Sequence, residues 1–324
     1  KVAEYLQWIK KVTAAERPIV NSTPTPTPKP TEKPTGKGTH TLNRNHRKSG
    51  NTSAASARSH SSGRSALAEH RRVKRIVGGY TAPEGFYTSI VGIRKMGNET
   101  KRMSNICGGT LITPRFVLSA AHCFQDAKNP DPILFDIVAG DTDYSLTEGT
   151  EQQVKLVRLH FYPKFQANHT PATHDIILLE LESPVTLNDF VTTARLPPSE
   201  FDLFNGRLCS IQGWGDTKTD DGSNILRAAQ VVVFDRITCS RLAGYDKEKN
   251  LSRFNFCAGY EQGGIDTCQG DSGGPLTCQD NDGNTYLAGI TSWGNGCGRK
   301  NNLGVYTKVS KYLTWIEEVV SGAN

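Results

Sequence analysis

Ile176-Ile-Leu-Leu179 is a short apolar run, and Phe116-Val-Leu118 and Val231-Val-Val-Phe234 repeat its character. Such runs of apolar, often β-branched residues, separated by Gly, Asn and Asp, read as strands that turn back after a few residues. A chain that keeps this rhythm from Ile76 onward is predicted to be an all-β sandwich or barrel. One late stretch departs from it. Val309, Tyr312, Leu313, Ile316, Val319 and Val320 recur at helical spacing and give a single apolar face, so a helix is expected over 308–320.

Ahead of Ile76 the composition changes. From Thr13 to about Arg75 the chain is mostly Thr, Ser, Pro, Lys and Arg, including the run Ser22-Thr-Pro-Thr-Pro-Thr-Pro-Lys-Pro30. Too little apolar surface is available there to offset the entropy of ordering, so 14–75 is expected to be a disordered linker or propeptide, of a composition that suits O-glycosylation. Residues 1–75 hold 16 Lys+Arg against 4 Asp+Glu, a net of +12, so residues 76–324 carry −6 of the overall +6. The basic balance belongs to the front segment. That segment is so poor in aromatics that a solvated tail is the expectation over a nucleic-acid site, with polyanion binding left open.

Residues 1–12, Lys-Val-Ala-Glu-Tyr-Leu-Gln-Trp-Ile-Lys-Lys-Val, match 308–319 at Lys, Val, Tyr, Leu, Trp, Ile and Val. An internal repeat is the expectation, with 1–13 as the closing helix of a preceding protease unit in a tandem precursor; chance similarity of two amphipathic helices and an independent propeptide that begins with such a helix are the alternatives. All 8 cysteines lie between Cys107 and Cys297 without the Cys-x-x-Cys spacing of a zinc site. Disulfides and an oxidising compartment are expected, though eight cysteines alone permit about 105 pairings. Sequons at Asn21, Asn51, Asn98, Asn168 and Asn250 fit a secreted glycoprotein, and no apolar run is long enough to span a bilayer. An export signal is expected upstream of Lys1.

Three strings carry chemistry: Ser119-Ala-Ala-His-Cys123, His174-Asp-Ile-Ile-Leu-Leu179 and Gly270-Asp-Ser-Gly-Gly-Pro275. A serine hydroxyl is a poor nucleophile at neutral pH and needs a base in contact with it. His122 is suited to take the proton of Ser272, and Asp175 to fix the imidazole tautomer. With Ile76-Val-Gly-Gly79 in front, these strings resemble the trypsin family of serine proteases across essentially all of 76–320.

The resemblance implies two antiparallel six-stranded β-barrels, roughly 76–190 and 191–306, with the active site between them and the helix packed on the second. It implies a secreted endopeptidase with His122, Asp175 and Ser272 as catalytic residues and the N–H groups of Gly270 and Ser272 as oxyanion hole. Asp266 would floor a specificity pocket for Arg or Lys, with Thr267 and Gln269 at its entrance and Gly294 and Gly304 leaving its walls open. Ser292, Trp293 and Gly294 would pair with substrate backbone. Cleavage at Arg75-Ile76 would free an ammonium at Ile76 to meet Asp271. The bridges implied are Cys107–Cys123, Cys209–Cys278, Cys239–Cys257 and Cys268–Cys297.

Partners implied are protein or peptide substrates, protein protease inhibitors and an activating protease. Arg72-Val-Lys-Arg75 suits a dibasic-specific convertase. No cofactor is required. The stretch Asp141 to Glu151 aligns with the family's calcium loop, offering Asp141, Asp143, Glu148 and Glu151 as hard oxygen ligands and carbonyls near Asp143 and Leu146. Asp141 stands where the family usually has the longer Glu, and a solvated acidic loop is the alternative. A catalytically silent binding module of the same fold is the alternative to the enzyme.

Overall fold

The structure is a computed structural model that describes residues 76–97, 103–125, 130–166, 173–201, 203, 205–216, 224–242 and 251–322. The expected linker, the repeat at 1–13, Arg75 and the sequon asparagines lie outside that set. Its strands are β1 (Tyr80–Thr81), β2 (Ile90–Met96), β3 (Met103–Thr113), β4 (Phe116–Ser119), β5 (Phe135–Ala139), β6 (Gln152–Phe161) and β7 (Ile177–Leu181), then β8 (Leu208–Gly213), β9 (Arg227–Phe234), β10 (Asn255–Gly259), β11 (Pro275–Gln279), β12 (Thr285–Trp293) and β13 (Gly304–Lys308). Two helices are described, α1 (Arg236–Leu242) and α2 (Leu313–Gly322).

The strands form two closed six-stranded antiparallel barrels. In the first the order is β2-β3-β4-β7-β6-β5, closed by β5 on β2. In the second, β9-β10-β13-β12-β11-β8 is closed by β8 on β9. β1 departs from the sequence division at residue 190. It pairs with β9 of the second barrel, Tyr80 opposite Ala228, because Ile76 just ahead of it is buried in the second barrel's core.

The apolar runs that set the fold have no alternation because both of their faces are buried. Successive strand residues point to opposite sides. Val117, Ile177 and Leu179 fill the first barrel, while Phe116, Leu118, Ile176 and Leu178 face outward into a second cluster. That outer cluster also holds Val309, Tyr312, Leu313, Ile316 and Val320, together with Leu287 and Ile290 of β12. The C-terminal helix therefore does not rest on the second barrel alone, as expected from sequence, but joins the outer face of the first barrel to β12. It begins as a 3-10 turn at Val309–Lys311 and continues as α2. A ten-residue helix is marginal alone in water, so this shared apolar face is what holds it.

Four disulfides pair as the resemblance implies: Cys107–Cys123, Cys209–Cys278, Cys239–Cys257 and Cys268–Cys297. Bridges of this kind typically contribute about 2–4 kcal/mol each. Among the described residues, no helix is long and apolar enough to cross a membrane.

Candidate active site

His122 sits in the 3-10 turn Ala121–Phe124 that follows β4. Asp175 precedes β7, the strand paired with β4, so antiparallel pairing of Ser119 with Ile177 brings the two together. His122 Nδ1 is 2.7 Å from Asp175 Oδ2, and its backbone N–H donates to Asp175 Oδ1 at 2.9 Å. Asp175 is 1% exposed. Burial pushes the His122 pKa down, but the hydrogen bond that its ring donates to Asp175 and the charge of Asp175 outweigh that and hold it above the ordinary value.

Asp175 takes two further bonds from the second barrel: Ser292 Oγ donates to its Oδ2, and Thr307 Oγ1 donates to its carbonyl at 2.8 Å. Ser292 is placed by a register shift. β12 pairs Thr291 with Tyr306 and Trp293 with Val305, which leaves Ser292 as the extra residue, and a bulge of this kind re-aims a side chain.

Ser272 is tied to the same corner through its backbone. Its carbonyl accepts from Gly108 N–H at 2.8 Å, next to Cys107, whose sulfur lies within 4.8 Å of a His122 ring nitrogen. Cys107, His122 and Cys123 are the only described group of possible metal ligands gathered this closely, but both cysteines are spent in a disulfide. Asp271 N–H to Cys268 carbonyl and Gly274 N–H to Asp271 carbonyl, both 3.0 Å, wind the chain tightly about Ser272. Gly273, at φ +77°, leaves no room for a side chain, since a Cβ there would lie 2.5 Å from the Gly108 carbonyl. Among the described residues nothing accepts from the N–H of Gly270 or Ser272.

Ser272 lines one cavity of about 220 Å³ with Asp266, Thr267, Cys268, Gln269, Thr291, Ser292, Trp293, Gly294, Gly296, Cys297 and Gly304. The cavity thus gathers every residue that the sequence assigned to substrate binding. Asp266 is 3% exposed; its Oδ1 accepts from Thr267 N–H at 2.9 Å and its Oδ2 from Gly298 N–H at 2.8 Å. A Cβ on Gly304 would come within 2.9 Å of Asp266 Oδ1, so any side chain there would crowd the carboxylate.

Residues 76–316 match the family described as Trypsin. The chain belongs to the trypsin family. It is similar to transmembrane protease serine 9 of Rattus norvegicus, 36% identical over 256 residues, which cover 78% of this chain and 23% of that protein. The chain spans less than a quarter of that curated relative.

Two further features bear on a trypsin-family domain. Asp271, fully buried, accepts from Gly215 N–H at 2.8 Å and Cys268 N–H at 2.9 Å. Burial nevertheless pushes its pKa up to about 7; those two bonds lower it and the charge of Asp216 adds to the rise. Among the described residues no cation pairs with it. Ile76 is fully buried as well and adopts φ +38°.

The acidic loop 141–151 is the second feature. Asp141 Oδ1 is buried without a partner, and burial, followed by the charges of Glu148, Glu151 and Asp143 and opposed by Arg94, raises its pKa to about 6. That crowding of carboxylates fits a hard divalent cation. The other candidate ligands are engaged within the loop: Glu148 Oε2 accepts from Thr142 N–H at 2.8 Å, Glu151 Oε2 from Gly149 N–H at 2.7 Å, and the Asp143 carbonyl from Leu146 N–H at 2.9 Å. Sequence reasoning missed Thr307 and the Ser292 hydroxyl as supports of Asp175. Neither stands near it in sequence, so no local signal marked them.

Proposed function

We propose that this trypsin-family chain is a secreted endopeptidase that cuts after Arg or Lys and is made as a zymogen. The observation that carries the specificity is the shared cavity, with the buried Asp266 carboxylate in the same lining as Ser272. A buried carboxylate favours a cationic side chain and penalises an apolar one, which would leave the charge unpaired.

In this reading Ser272 Oγ attacks the carbonyl carbon of the scissile bond while His122 takes its proton. Asp175 holds the imidazole by its Nδ1–H and stabilises the imidazolium that forms. The N–H groups of Gly270 and Ser272 receive the oxyanion. His122 then returns the proton to the leaving amine, and water hydrolyses the acyl-enzyme by the same steps in reverse.

Cleavage at Arg75-Ile76 would place a new ammonium in the protein interior, and Asp271 is a buried carboxylate with a raised pKa and no described cation beside it. Pairing of the two is the activating step. Calcium at 141–151 would draw the loop's carboxylates together and relieve the repulsion on Asp141.

The test uses the full chain cleaved at Arg75. One equivalent of an active-site serine reagent should be consumed per chain, and Arg- and Lys-anilides should be hydrolysed in preference to Phe- or Leu-anilides. Ser272→Ala should lose about 10⁶-fold in kcat. Asp266→Ser should lose on the order of 10⁴-fold in kcat/KM for Arg and Lys substrates and keep its reaction with the serine reagent. Equal turnover of Arg- and Phe-anilides by the wild type would remove the specificity.

A further inference from the structure

His174 has no part in the chemistry above, yet its backbone is under strain. It takes φ +51° immediately before Asp175. A non-glycine residue stays in the left-handed region only where its surroundings over-determine it. The His174 carbonyl accepts from Ile176 N–H at 2.8 Å, so the chain doubles back across Asp175. From that turn the Asp175 carboxylate reaches both the backbone N–H and the ring of His122, at 2.9 and 2.7 Å.

Other parts of the chain hold the ring of His174. Its Nδ1 is 3.1 Å from the hydroxyl of Tyr312, just ahead of α2. Its centroid lies 4.4 Å from that of Phe254 and 5.2 Å from that of Tyr162. Tyr162 in turn meets Tyr312 and Trp315 edge-on, at 4.9 and 5.4 Å. Tyr162 N–H also donates to the Ile176 carbonyl at 3.5 Å, on the far side of the turn. The charged and titratable groups about the ring are Lys164, Tyr162, Tyr312 and Asp175. Burial, with the charge of Lys164, holds the imidazole pKa below its ordinary value, so it adds no cation beside the aspartate.

We propose that His174 is a positioning residue for Asp175: its left-handed turn sets the direction in which the carboxylate leaves the chain, and the cage of Tyr162, Phe254 and Tyr312 holds that turn in place. The assignment rests on the reading of Asp175 as the triad carboxylate. It also gives the C-terminal helix a part in catalysis, since Tyr312 and Trp315 complete the cage. Hydrogen bonds weaken steeply as their angle closes, so a modest rotation of this turn costs alignment at His122 before it costs the fold.

The experiment compares His174→Val, His174→Ala and His174→Asn in the full chain cleaved at Arg75, with Asp175→Asn alongside. It reads kcat and KM on an Arg-anilide, the pH profile of kcat/KM, and the folded fraction by circular dichroism. Valine disfavours the left-handed turn and removes the ring. It should lower kcat by roughly ten- to a hundredfold with KM little changed, and move the acid limb to lower pH, because a misaligned Asp175 supports the imidazolium less well. Alanine should give a smaller loss of the same kind, and it carries the test if the valine protein does not fold. Asparagine tolerates the left-handed region and presents a polar group to Tyr312, so it should recover most of kcat.

Losses that merely follow the folded fraction, an unmoved acid limb, or asparagine no better than valine would overturn the proposal. Full activity in Asp175→Asn would instead remove the triad reading itself, whatever His174 does.

Discussion

Asp175 and Asp271 are both aspartates buried to within 1% of full enclosure, and each accepts two or more hydrogen bonds. They differ in what supplies those bonds. Asp175 faces an imidazole that can become a cation, a hydroxyl and a backbone N–H. Asp271 has two backbone N–H groups and the like charge of Asp216, and its pKa rises to about 7. Burial raises the Asp271 pKa where backbone N–H groups alone offset it and no positive partner stands beside it among the described residues. The first carboxylate has its partners in place, and under the proposed zymogen reading the second would receive the charge that cleavage supplies.

The largest effect should come from spoiling the complete site. Asp175→Asn in the cleaved chain leaves room and shape intact but offers an amide where His122 needs an acceptor. It should lower kcat by about 10⁴-fold with little change in KM, measured on an Arg-anilide. A loss under tenfold would erase the contrast between the two aspartates.

Spoiling the incomplete site should act in opposite directions before and after cleavage. A rise in pKa from 3.8 to about 7 corresponds to about 4 kcal/mol of penalty on the ionised form. Below pH 4 Asp271 is protonated in both folded and unfolded states and costs nothing. Between pH 4 and 7 the unfolded chain ionises first, so stability falls as pH rises, and above 7 the whole penalty applies. The uncleaved chain, carried on Ser272→Ala to prevent self-cleavage, should therefore gain stability at pH 8 from Asp271→Asn. After cleavage the same substitution should lower activity by about a thousandfold, the kinetic equivalent of that energy. Urea unfolding of both forms at pH 4 and pH 8 separates the cases, and a substitution neutral in both would show that Asp271 does not receive the Ile76 ammonium.

How much of this was legible in sequence follows from how local each determinant is. Ile176, Ile177, Leu178 and Leu179 announced a strand by type and length, and their lack of alternation agrees with burial on both faces. The three strings were legible as residue types, but bringing His122 to Asp175 depends on β4 pairing with β7, and holding Ser272 at that corner on the bond from Gly108, neither of which any spacing encodes. Less was legible where the partner is distant. The bulge that aims Ser292 at Asp175, the Thr307 bond, the placement of β1 on the second barrel and the sharing of α2 between barrels all depend on long-range contacts. The left-handed turn at His174 was invisible because what holds it, Tyr162, Phe254 and Tyr312, lies elsewhere in the chain.

The acidic loop 141–151 extends the comparison to a third carboxylate with unmet charge, Asp141. Millimolar calcium should raise the unfolding free energy of the chain by about 2.7 kcal/mol at a hundred times its dissociation constant, by mass action on the folded state. Glu151→Gln should remove that gain and leave the chelated protein near wild-type stability. Identical melting in calcium and in chelator would leave a solvated acidic loop, with the Asp141 pKa raised by burial and by the charges of Glu148, Glu151 and Asp143.

The smallest effect is the displacement of a curve. His122 must be neutral to take the proton of Ser272, and in the free enzyme its protonation sets the acid limb of kcat/KM. Burial lowers that pKa, while the bond to Asp175 and its charge raise it further than burial lowers it. The acid limb should therefore lie above the pH of an unperturbed imidazole, with activity lost as pH falls through it. Removing only the neutral donor sharpens the contrast with Asp271: Ser292→Ala removes the hydroxyl from Asp175 Oδ2 and leaves the imidazole in place. With one competing donor gone, Asp175 serves His122 alone, so the limb should move to higher pH while the fold and KM stay close to wild type. A limb that moves to lower pH in Ser292→Ala would mean that the serine hydroxyl aligns the carboxylate more than it competes for it, and that Asp175 needs the second barrel to act at all.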